Sequence, residues 1–84
     1  MTEHTDLIER LRAREKIHRD HIHNSQVVIA LLAPQMALFE AREGKHNLYA
    51  VRLSVDHQSS IRTTTKEADE LAEAAAALAK LDRP

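Results

Sequence analysis

Eighty-four residues amount to one domain, 1–84, with a thin stability margin and a motive to oligomerise, since a chain this short buries a modest fraction of its surface. The absence of cysteine excludes disulfide staples, thiolate nucleophiles and cysteine-based zinc or iron–sulfur centres. A net charge of −1 gives no overall attraction to nucleic acid or anionic lipid, and with Phe39 and Tyr49 as the only two phenyl-type side chains and no tryptophan the core must be aliphatic.

The N-terminal residues Met1 to Asp6 have neither the basic nor the apolar part of a secretion signal, and no uninterrupted apolar run reaches the roughly 20 residues that span a bilayer. A cytoplasmic protein without a membrane partner is the expectation. Thr5 reads as a helix N-cap, with Asp6 and Glu9 placed to complement the positive end of the helix. From Leu7, Ile8 and Leu11 a 3-and-4 spacing continues through Arg14, Glu15, His18, Ile22 and Ser25 to Ile29 and Leu32, a stripe that turns polar in its middle. Asp6–Arg10 and Glu15–Arg19 have the favourable i, i+4 spacing.

Good helix formers lapse at 21–25, and Pro34 removes a backbone donor, so the helical N-terminal half, about 5–43, is expected to bend near 23–25 and again at Pro34. Between these points Val27-Val28-Ile29-Ala30-Leu31-Leu32 is the longest apolar run. Being apolar on every side, it has to be enclosed, and Val27, Val28, Leu31 and Leu32 are the expected interface of a two-fold homodimer. Gly44 stands where a helix-terminating glycine belongs.

Beyond Gly44, Tyr49, Val51, Leu53 and Val55 alternate with Ala50, Arg52, Ser54 and Asp56, and Ile61 to Thr65 is rich in β-branched residues. The spacing predicts a β-hairpin over about 48–64, with Arg52 and Arg62 on its outer face. Thr64 and Glu67 have the spacing of a capping box, which predicts a C-terminal helix over about 65–82 with Ala68, Leu71, Ala72, Ala75, Leu78, Ala79 and Leu81 along one side. The expected class is therefore α+β, with an all-α helical bundle as the alternative.

Chemistry-bearing residues are few. Glu15 and His18 share a helical face, and His21 and His23 are close in sequence, but one Glu-x-x-His copy is half of a di-iron set, so no metal is expected. Asp56, His57, Ser59 and Ser60 fall in one predicted turn, which turn chemistry explains without catalysis. One glycine excludes glycine-rich phosphate loops. No catalytic residue and no cofactor are expected. The profile is that of a small non-enzymatic regulatory module, such as phages and mobile elements carry as accessory proteins. It acts by stoichiometric protein binding and self-association with an unidentified protein partner. Nucleic-acid binding through Arg52 and Arg62 is the alternative, and a histidine-based metal-binding protein a more distant one.

Overall fold

The computed structural model describes residues 4–82. Two α-helices, α1 (Thr5–Glu43) and α2 (Leu48–Leu81), run antiparallel as a hairpin measuring 65 × 15 × 14 Å. There is no strand among the described residues, so the β-hairpin over 48–64 and the α+β class are incorrect and the all-α alternative holds. Nor does α1 break at 23–25 or at Pro34. Pro34 cannot donate to the Ala30 carbonyl, but both residues are exposed, so water can take up that oxygen.

Where α1 ends is set by Gly44, whose φ of 67° is left-handed and whose N–H donates to the Glu40 carbonyl at 2.9 Å. The Glu40 carboxylate pairs with His46 across the turn. Asn47, with extended backbone, then caps α2, its side-chain oxygen accepting from the Ala50 N–H at 3.2 Å. Asn47→Ala should cost about 1 kcal/mol of stability. Gly44→Ala, whose added Cβ meets no atom within 4 Å, should cost roughly 1 to 2 kcal/mol by conformation alone. Urea titration followed by circular dichroism measures both, and an unchanged midpoint for either would show that the turn is not fixed this way.

At the open end the expected cap is replaced. Thr5 lies inside the helix and His4 is the boundary residue, without a side-chain cap of its own. Instead the His4 N–H donates to Asp82 Oδ2 at 3.2 Å, so a carboxylate from the end of α2 sits at the positive end of α1. Thr64 and Glu67, read as a capping box, lie in mid-helix.

Both helices bury a strict seven-residue repeat. With a and d marking the buried seam, α1 contributes Ile8, Glu15, Ile22, Ile29 and Met36 at a, and Leu11, His18, Ser25, Leu32 and Phe39 at d; all are shielded at least in part. On α2 the a positions are Asn47, Ser54, Ile61, Ala68, Ala75 and Asp82, and the d positions Ala50, His57, Thr64, Leu71 and Leu78. Ala68 and Ala75 are 0 % exposed. Small residues on α2 stand level with large ones on α1: Ala75 with Ile8 and Leu11, Ala50 with Leu32 and Met36. That alternation lets the backbones approach closely.

Candidate self-association surface

The middle of the seam is polar. Ser25 is 2 % exposed and its hydroxyl lies 3.2 Å from His57 Nδ1. His18 lies 2.8 Å through Nδ1 from the Arg14 carbonyl and 3.1 Å through Nε2 from the Glu67 carboxylate. His21 Nε2 reaches the Ser60 hydroxyl at 3.1 Å. Arg19 binds Glu15 and Asp69, each at 3.1 Å, and these carboxylates, Asp69 foremost, raise its pKa. No described buried polar side chain lacks a partner. The segment is a satisfied polar network that fixes the register of the two helices.

Serine and histidine do meet here, but the buried hydroxyl of Ser25 is out of a substrate's reach, and Ser60 pairs with His21 and not with its neighbour His57. Asp56, His57, Ser59 and Ser60 lie within α2 and form no triad, since His57 bonds Ser25 and Ser60 bonds His21. Glu15 and His18 share the seam as expected, yet each is engaged by a residue of its own, and no group of three metal-binding side chains occurs among the described residues. The open groove beside them, about 330 Å³, is lined by Arg14, His18, Glu67, Glu70 and Leu71. Arg52 and Arg62 are exposed on α2 but, ten positions apart on a helix, stand about 15 Å apart along its axis, so the paired basic face that a hairpin would have given does not form.

Apolar surface is what the hairpin leaves over. Among the described residues the buried apolar ones are Ala50, Ala68 and Ala75, while nine large apolar side chains are exposed, Leu31 at 63 % and Tyr49 at 78 % among them. Residues 21–39 of α1 contain no Asp, Glu, Lys or Arg. Of the run expected to form an interface, Leu32 belongs to the seam, Val28 is half-buried at its edge, and Val27 and Leu31 are exposed. No family model, curated protein or solved structure matches the chain. By length and composition α1 could cross a membrane, containing an 18-residue window of mean hydropathy 1.3 that is 11 % buried; a helix covered by protein passes the same criterion.

The exposed side chains are not spread evenly. In an antiparallel pair, positions g and c of both helices share one flank, and e and b share the other. The His21–Ser60 bond, g to g, and the Arg19–Asp69 pair, e to b, place these flanks on opposite sides. Leu7, Ile17, Leu31 and Leu38 of α1 and Tyr49 and Leu81 of α2, six of the nine, lie on the g/c flank, with half-buried Val28 and Leu53 beside them. The e/b flank carries the charged Glu9, Arg12, Lys16, Arg19, Arg62 and Asp69 among several alanines, with Leu48, Val51 and Val55 as its large apolar side chains. Of the residues on this flank, the sequence singles out Val28 and Leu31 as an expected interface and not Leu38, Tyr49 and Leu53. The seven-residue spacing from Ile17 through Asn24 to Leu31 and Leu38 is the signal that could have shown this second stripe.

Proposed function

We propose that this chain is a non-catalytic assembly module, acting by stoichiometric helix-on-helix association with a second copy of itself and through it on other proteins. One observation carries the reading: among the described residues no large apolar side chain is buried, although the chain has enough of them for a core. A hairpin in that condition has the make-up of half a bundle. Surface area supports this. A compact protein of 9.5 kDa exposes about 5,000 Å² on the usual mass scaling, whereas the hairpin exposes 6573 Å². The excess, about 1,500 Å² on one chain, is roughly twice the 800 Å² that each partner of a standard interface contributes, so it is ample for one. The radius of gyration, 19.0 Å against about 12 Å for a compact chain of this length, agrees.

Light scattering at micromolar concentration tests the proposal. The expected mass is twice 9.5 kDa, with helicity and mass falling together on dilution. A fully helical monomer at that concentration would overturn it, and so would a monomer that partitions onto lipid vesicles, which would assign the apolar surface to a bilayer.

A further inference from the structure

The two flanks differ in a way that decides how a second copy sits. Resting on the self-association just proposed, we infer that two hairpins pack g/c flank to g/c flank, side by side along their full length and with both turns at the same end, to make a four-helix bundle in which each α1 lies over the other copy's α2.

Three features lead there. The first is sidedness: six of the nine exposed large apolar side chains are on the g/c flank, while the e/b flank has two, Leu48 and Val55, and carries charged residues along its length, among them Arg12, Arg19, Arg62 and Asp69. The second is polarity along the flank. Its turn end holds Val28, Leu31, Leu38, Tyr49 and Leu53, with Gln35, Asp56 and the terminal Arg42 as polar exceptions, and its middle holds Arg14, His21, Glu67 and Glu70 around Ile17. Matching like with like over the full length brings apolar turn ends together. In an inverted pair, turn against open end, the level of Arg14 and Glu70 would fall on Leu31, Leu38 and Tyr49, which buries charge against hydrocarbon.

The third is charge. Arg14 and Glu70 stand at one level of the hairpin and neither makes an ion pair among the described residues. A two-fold axis along the bundle places α1 of one copy over α2 of the other at that same level. Each Arg14 then faces the second copy's Glu70, twice per dimer, with Glu67 adjoining. A fold with its turns together also keeps every helix antiparallel to its neighbours, as in up-and-down bundles.

The chain has no cysteine, so a nitroxide can be attached at one chosen point, Lys45→Cys in the exposed turn. Labelled dimers should give an electron–electron distance below about 35 Å, the breadth of a four-helix bundle plus linkers. A distance close to the 65 Å length of the hairpin would overturn the arrangement while leaving self-association intact. A monomer would overturn both. For the flank, Leu31→Asp should shift the mass to monomer at micromolar concentration, whereas Ala30→Asp, exposed one residue away on the e/b flank, should leave the dimer unchanged. The reverse pattern would show that the other flank is the interface.

Discussion

Leucine in place of Ala68 or Ala75 should produce the largest loss of thermal stability of any single apolar exchange in the chain. Both alanines are fully enclosed between the helices, and a side chain three carbons larger has no space to enter without prising the backbones apart. Overpacking of this kind costs typically 1 to 3 kcal/mol, which for a domain of this size corresponds to a fall of about 5 to 20 °C in melting temperature. At Ala76, an exposed neighbour on the same helix and off the g/c flank, leucine should change it little. Thermal melts at one protein concentration make the comparison, and equal melting temperatures for Ala75→Leu and Ala76→Leu would mean that the seam is not where the seven-residue repeat puts it.

The second large effect is expected at the Ser25–His57 layer, and its sign depends on how many partners are changed. Ser25→Val alone should cost about 1 to 3 kcal/mol, because it leaves the half-buried imidazole without its hydroxyl partner. Adding His57→Leu should recover most of that loss, since replacing both members of a buried polar pair by apolar groups is close to neutral or stabilising. A double-mutant cycle by urea unfolding reads the coupling. Two costs that simply add would show that the side chains do not act together.

Much of α1 was legible in the residues. The 3-and-4 stripe from Ile8 through Glu15, His18 and Ser25 to Leu32 is the seam, polar middle included, except that Leu7 and Arg14, counted in it, lie exposed beside it; Gly44 ends the helix as its position indicates. On α2 the same rule failed for a physical reason. Its seam residues at this end, Ala50, Ser54, His57 and Thr64, are small or polar apart from Ile61, so the buried face carries little hydrophobic signal. The apolar residues flank that face on two sides. Tyr49 and Leu53 fall on one flank, Val51 and Val55 on the other, and two flanks sampled alternately along the chain imitate a strand's period of two. What looked like a divided helical face, and therefore an argument against helix, is how a helix reads when it packs in its own hairpin and has surface left for a further layer. The β-branched Ile61 to Thr65 strengthened the error, because helix propensity is a weak prior that packing overrides.

A seam lined with alanine also bears on how long each molecule lasts. Side chains this small give the isolated hairpin little to hold it shut, so its two arms should part often, and each parting offers an extended backbone to a protease. On the reading proposed here, every molecule that finds a second copy is withdrawn from that fate, and the degree of withdrawal rises with the amount of protein present. Low production would then be trimmed towards nothing, while production above the dissociation constant would accumulate. The three buried alanines of α2 would in that case set a threshold of supply below which the protein has no lasting presence in the cell.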